Sequence, residues 1–166
     1  MQVNISSLKA RLVMRDGNAD PTSLLGNYTM LDLQQLNTAL IDRESVAQRV
    51  LATVISYYPG RGVNGTDEAL CDAGGIAMSK DTGPIRGYGE VIGKPWILGR
   101  ISQEHGVLTY MSDTSEPAGL EVGSMVEIIG QHACLIAAGH PWYYITDSSI
   151  GEKDKVVDIW VPWKGW

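Results

Sequence analysis

This 166-residue chain has no phenylalanine, only two cysteines, no long apolar run and no cluster of positive charge. Each absence removes a class of protein. Without Phe, the five Trp and seven Tyr must supply the aromatic bulk of any core. Cys71 and Cys134 make no disulfide framework, so reduced thiols in a cytoplasmic chain are the simpler expectation. No stretch approaches the ~20 apolar residues of a membrane span. Residues 1–10 lack the basic start and apolar middle of a signal peptide. The 13 Lys and Arg are scattered among 19 Asp and Glu, and a net charge of −6 argues against a nucleic-acid surface. What remains is the composition of one soluble globular domain, with 19 glycines favouring many turns over long helices.

Taken in order, residues 1–25 offer a short strand over 8–14 and a turn at Asp16-Gly17-Asn18. The patch from Gly26-Asn27-Tyr28 through Met30-Leu31-Asp32-Leu33-Gln34-Gln35 has too few periodic positions to assign. From Val46 the pattern sharpens. Val46, Val50, Ala52 and Val54 alternate with Ala47, Leu51, Thr53 and Ile55, the period-two signature of a strand, which Pro59-Gly60 ends. Ala69-Leu70-Cys71-Asp72-Ala73 reads as a second strand closed by Gly74-Gly75, and residues 80–93 as a glycine-rich loop. Residues 96–102 and 107–110 read as a strand pair around Gln103-Glu104-His105-Gly106, and residues 112–123 as a surface connection. After a His140-Pro141-Trp142 turn, residues 156–161 form a last strand. Short strands with glycine turns and little helical period predict a β-barrel or compact β-sandwich.

The chemistry concentrates in one apolar run, residues 126–138, which reads as a strand carrying His132 and Cys134. Strand alternation would point both side chains to one face. Imidazole and thiolate are the ligands zinc favours, so the pair reads as a metal site. A core strand with a small buried Cys and a hydrogen-bonded His reads equally from the same residues. Glu104 and His105 are further candidates if the barrel brings them beside the pair; otherwise they form an exposed hairpin tip. Gly87-Tyr88-Gly89 is half a phosphate loop with no helix after it, hence a plain turn. Neither a Gly-x-Ser-x-Gly elbow nor a P-loop occurs.

Several blocks in series nevertheless resemble one family. They are Gly26-Asn27-Tyr28 with Leu31-Asp32-Leu33-Gln34-Gln35, then Val50-Leu51-Ala52-Thr53-Val54-Ile55-Ser56, then Asp72-Ala73-Gly74 with Ala77-Met78-Ser79-Lys80-Asp81. Ser102-Gln103-Glu104-His105-Gly106, His132-Ala133-Cys134 and the ending Val157-Asp158-Ile159-Trp160-Val161-Pro162-Trp163-Lys164-Gly165-Trp166 complete the set. Over residues 24–166 the chain is similar to the C-terminal part of the D-serine dehydratase / D-threonine aldolase family in its fungal form. The resemblance implies a mainly β, alanine racemase C-terminal-like barrel over residues 43–166, with residues 1–42 a remnant of a (β/α)8 barrel that holds pyridoxal phosphate. It implies that His132 and Cys134 bind a divalent metal, zinc for a Cys at this place, which grips the substrate's β-hydroxyl. The implied reaction is D-serine dehydration or D-threonine retro-aldol cleavage.

The departures define the expectation for this chain. About 25 residues before Gly26 cannot form an eight-stranded barrel. None of Lys9, Lys80, Lys94, Lys153, Lys155 and Lys164 matches the family's cofactor lysine, and Ile76 stands where many relatives carry Lys. The chain is therefore expected to be the metal-binding β domain of a pyridoxal phosphate- and zinc-dependent lyase, inactive by itself, its remaining metal positions filled by water, by substrate, or by Glu104 or His105 if the fold brings them near. A non-catalytic metal-binding or interaction module that has lost its barrel is the alternative. The expected partners are a small D-amino acid in the intact enzyme, and a second copy or a separate barrel domain.

Overall fold

The computed structural model describes residues 1–4, 30–111, 119–150 and 155–163. The expectations for residues 8–14, for Asp16-Gly17-Asn18, for Gly26-Asn27-Tyr28 and for Lys164-Gly165-Trp166 lie outside the described residues.

Among the described residues nine strands form the sheet: β1 (Gln2–Asn4), β2 (Gln48–Tyr58), β3 (Glu68–Cys71), β4 (Gly89–Val91), β5 (Trp96–Ile101), β6 (Gly106–Tyr110), β7 (Met125–Gly130), β8 (Tyr143–Thr146) and β9 (Val156–Trp160). Three short α-helices among the described residues join them: α1 (Leu33–Leu36), α2 (Gly75–Met78) and α3 (Ala133–Gly139). The strand order is β3-β6-β5-β4-β7-β2-β1-β8-β9, and β2 also pairs with β3. That extra pairing closes β2, β7, β4, β5, β6 and β3 into a six-stranded antiparallel barrel. Closure removes the sheet edges of those six strands. The chain is thus mainly β, as its period-two segments predict.

The pivot is β2, whose eleven residues serve three neighbours in turn. Gln48 and Arg49 face β1, Val50 to Thr53 face β7, and Val54 to Tyr58 face β3. Val50, Ala52 and Val54 point inward, and Leu51 and Thr53 outward, in strict alternation. The barrel core adds Ala69, Cys71, Leu98, Leu108, Val126 and Ile128, all buried. In place of Phe, buried Trp96 lies between Tyr57 and Tyr110, with ring centroids 6.1 and 5.2 Å away. Of residues 1–42, the described ones contribute β1, hydrogen-bonded between β2 and β8, and the segment holding α1.

Residues 126–138 are not one strand. β7 stops at Gly130 and α3 begins at Ala133. A short apolar run fits a strand or a helix equally by period, and here Ala and Leu tilt residues 133–138 toward helix. The turn between them requires Gly130, where a Cβ would lie 2.2 Å from Ile136 Cδ1. Two strands escaped the sequence pattern: β4, inside the glycine-rich stretch expected to be loop, and β8, directly after the Pro141-Trp142 turn. Gly74-Gly75 does not simply close β3 but opens α2. No helix among the described residues is long and apolar enough to cross a membrane.

Candidate metal centre

The loop from β7 into α3 carries both predicted ligands. His132 is the N-cap of α3, still extended at φ −137°, and Cys134 is the second residue of the helix. The expected same-face placement on a strand is therefore replaced by a strand–helix junction. What sets the junction is Asp32, 1% exposed, whose two carboxylate oxygens cap two helices. Oδ1 accepts from Gln35 N at 2.9 Å, starting α1, and Oδ2 accepts from Ala133 N at 2.8 Å, starting α3. The Asp-x-x-Gln spacing of Asp32 and Gln35 is a helix-start signal, but its second role spans 101 residues.

His132 is fixed by a second carboxylate. Its Nδ1 lies 2.6 Å from Asp81 Oδ2. A carboxylate accepting at Nδ1 makes Nδ1 the protonated nitrogen and leaves the lone pair on Nε2, the state in which imidazole ligates a metal. The His132 side chain is 29% exposed. Asp81 leaves an unusual backbone turn: Ser79 has φ +64°, and its Oγ accepts from Asp81 N at 3.3 Å.

Gln131 holds this loop in place. It is fully buried, and its Nε2 donates to the carbonyls of Ile85 at 2.9 Å and Gly87 at 2.8 Å. Gly83 passes so close that a Cβ there would stand 2.7 Å from Gln131 Oε1. From the other side Gln34 Nε2 donates to Thr82 O at 3.1 Å, and Gln34 N to Gln131 O at 3.3 Å. Three segments far apart in sequence, around residues 32, 81 and 132, thus form one hydrogen-bonded frame.

Burial pushes the Cys134 thiol above its ordinary range; the thiol's own backbone N–H lowers it and the Asp32 carboxylate raises it further. A metal taking this sulfur must displace its proton. Cys71 is also pushed up by burial, but it belongs to the barrel core.

Glu104 and His105 are exposed at the β5–β6 hairpin tip. His105 N donates to Ser102 Oγ at 3.3 Å, and the tip's carbonyls at Ser102 and Gln103 accept from Gly75 N and Ile76 N at 2.8 and 3.1 Å. The tip therefore leans on α2, and α2 meets the far end of α3, where His140 Nε2 lies 3.1 Å from Ala77 O. No hydrogen bond or ion pair among the described residues joins Glu104 or His105 to His132. Nor do three or more His, Cys, Asp or Glu side chains among the described residues gather in a way that encloses an ion. The sequence pattern misses Asp32, Asp81 and Gln131, whose roles appear only when segments 50 to 100 residues apart meet.

Known proteins match this chain in sequence and in fold. Residues 47–146 match the serine dehydratase domain family. The chain is 46% identical over 145 residues to the D-serine dehydratase of Schizosaccharomyces pombe, covering 85% of this chain and 33% of that protein. Among solved structures, an alanine racemase-like protein from Idiomarina loihiensis superposes with a TM-score of 0.68 at 31% identity, over 84% of this chain and 38% of the other. D-threo-3-hydroxyaspartate dehydratase from Delftia sp. HT23 does so with a TM-score of 0.68 at 30% identity, over 84% and 38%. Variants of that dehydratase replace a histidine by alanine, and a cysteine two positions later by alanine in a metal-free form. The chain spans about one third of the length of these relatives.

Proposed function

The chain belongs to the serine dehydratase domain family, and on that premise we propose that it is the metal-binding portion of a lyase acting on D-β-hydroxy amino acids. The observation that carries the proposal is the 2.6 Å contact between Asp81 and His132 Nδ1, which leaves Nε2 as the ligand atom one residue from Cys134's helix. Imidazole and thiolate suit zinc, and a carboxylate behind the imidazole is the usual second partner of a ligating His. The bound metal would act as a Lewis acid toward a substrate hydroxyl. Within this chain, Asp81 fixes the ring and its tautomer. Asp32 holds the first turn of α3 and so the direction of Cys134, whose thiol gives up its proton on binding. Two protein ligands leave the remaining positions to water and substrate, not to the hairpin tip at Glu104 and His105. A soft thiolate at residue 134 favours zinc and dehydration over a hard-ion aldolase.

The described residues do not fit pyridoxal phosphate. The cofactor needs a lysine amine, and the lysines among them are Lys80, Lys94 and Lys155. Lys94 donates to Gly119 O at 2.7 Å from the β4–β5 turn, past the end of β4 that is away from its pairing with Gly130, the Lys80 stem packs beside Gly75, and neither cleft of about 430 and 410 Å³ is lined by a lysine. In this reading the cofactor belongs to a barrel of the kind the longer relatives have room for, and turnover requires both portions. The alternative, a metal-binding module without catalysis, shares the same site and differs only in lacking that partner.

Zinc titration of the metal-free chain tests the site. One zinc per chain is expected, with binding lost in His132→Ala and in Cys134→Ser, since either leaves a single ligand. Affinity should fall as the pH is lowered, because binding must displace the proton of a Cys134 thiol that burial already pushes up. Equal binding by all three proteins would make His132 and Cys134 structural residues only.

A further inference from the structure

The fold gathers positive charge where the composition gives little reason to expect it. The chain carries a net charge of −6 and seven arginines, yet three of these line one cleft of about 430 Å³ on the outer face of β5 and β6. Arg61, Arg86 and Arg100 share that lining with a single acidic residue, Glu68. Each arginine is presented differently. Arg100 Nη2 is pinned 2.7 Å from Glu68 Oε1, with its side chain 65% exposed. The Arg61 guanidinium lies over the Tyr58 ring, 4.6 Å from its centroid, which orders the group and leaves its edge N–H groups free in the plane.

Arg86 has no ion pair or hydrogen bond among the described residues, but its backbone is held on both sides. The carbonyls before and after it, at Ile85 and Gly87, are the two acceptors of buried Gln131. A buried amide spending both donors on one exposed arginine's neighbours fixes where that arginine projects. The cleft floor is opened by Gly99, where a Cβ would come 2.7 Å from Thr109 Oγ1. Asn64, in the left-handed conformation at φ +60°, adds an amide to the rim.

We propose that this cleft binds a compact small molecule carrying two or more negative charges, a di- or tricarboxylate or a phosphate ester. Planar guanidinium groups recognise carboxylate and phosphate oxygens through paired N–H donors, and a cleft of this size suits a small ligand. The site is separate from the His132–Cys134 pair and stands or falls independently of it.

The test is calorimetric titration of the metal-free full chain with citrate and with pyrophosphate, at constant ionic strength maintained by sodium chloride. One saturable site is expected for at least one probe, weakened about tenfold or more by Arg86→Gln and by Arg61→Gln. Arg86→Glu should abolish it. Tighter binding of citrate would identify a carboxylate ligand, and tighter binding of pyrophosphate a phosphate ester; either supports the proposal. Circular dichroism and the thermal midpoint check that the exposed substitutions leave the fold intact. Unchanged affinity in both Gln variants overturns the proposal, as does failure of both probes to saturate. Binding of polyglutamate alone would overturn it too, assigning the cleft to an acidic protein surface.

Discussion

Asp32→Ala is the most informative single substitution, because one side chain starts two helices and positions the proposed metal pair. The carboxylate is 1% exposed and accepts from Gln35 N at 2.9 Å and Ala133 N at 2.8 Å. Alanine leaves both N–H groups without this acceptor. Loss of a helix cap costs about 0.5–2 kcal/mol, and a buried donor left unsatisfied about 1–3 kcal/mol. Relief from burying a charge offsets part of the sum, so a destabilisation of about 2–4 kcal/mol is expected. For a domain of this size that lowers the thermal midpoint by roughly 5–15 °C. Asp32→Asn should fall between wild type and Ala, since its carbonyl can serve one N–H while its amide faces the other. Urea denaturation followed by circular dichroism measures all three proteins. Zinc titration of the variants under native conditions should show affinity falling with stability, because α3 loses its fixed start. An Ala variant within ~0.5 kcal/mol of wild type would refute the double-cap account. So would an Asn variant as unstable as Ala.

Asp81→Asn keeps an acceptor at His132 Nδ1 but removes the charge, so zinc affinity should drop about 10- to 100-fold with stability nearly unchanged, by titration and denaturation in parallel. Gly130→Ala places a methyl 2.2 Å from Ile136 Cδ1 and should cost about 1–3 kcal/mol in urea denaturation; Ile136→Val in the same chain removes that atom and should restore part of the loss. Tyr57 is pushed up to about 12 by burial first and then by its hydrogen bond to Asp67. The folded chain holds that phenol proton more tightly than the unfolded one. The contribution is therefore full below pH ~10 and lost as pH rises toward 12, a loss that Tyr57→Phe should remove from a stability–pH series.

Where the sequence could be read, one segment carried its own answer. Strands β2 and β6 alternate buried and more exposed residues over five or more positions, so period alone finds them, whereas β5 opens on three buried residues, Trp96-Ile97-Leu98, and is found by its apolar content. β4 is three residues long and mostly defined by its neighbours, pairing with both β5 and β7. β8 is four residues long, and its order in the sheet depends on β1, more than 100 residues earlier. Helix α3 is the instructive failure. Its residues are compatible with either structure, and the choice is made by Asp32, which period analysis of residues 126–138 never includes. The proposed ligand pair was legible as a candidate from residue types and spacing. Its orientation was not, because the groups that orient it lie 51 and 101 residues away.

That correction changes what the pair is. On a strand, His132 and Cys134 would owe their common direction to the pleat, and any β sheet would supply it. At a strand–helix junction the direction of each is set separately: the imidazole by Asp81, the thiol by a helix whose first N–H belongs to Asp32. The two carboxylates are themselves tied together, since Gln34 beside Asp32 bonds both Thr82 beside Asp81 and Gln131 beside His132. A displacement of any one segment therefore moves a ligand relative to its neighbour. Two of the three parts of this frame, around residues 77–81 and 132–134, lie inside the family match over residues 47–146, and the third, around residues 31–35, lies before it, so the frame that orients the pair reaches beyond the matched region.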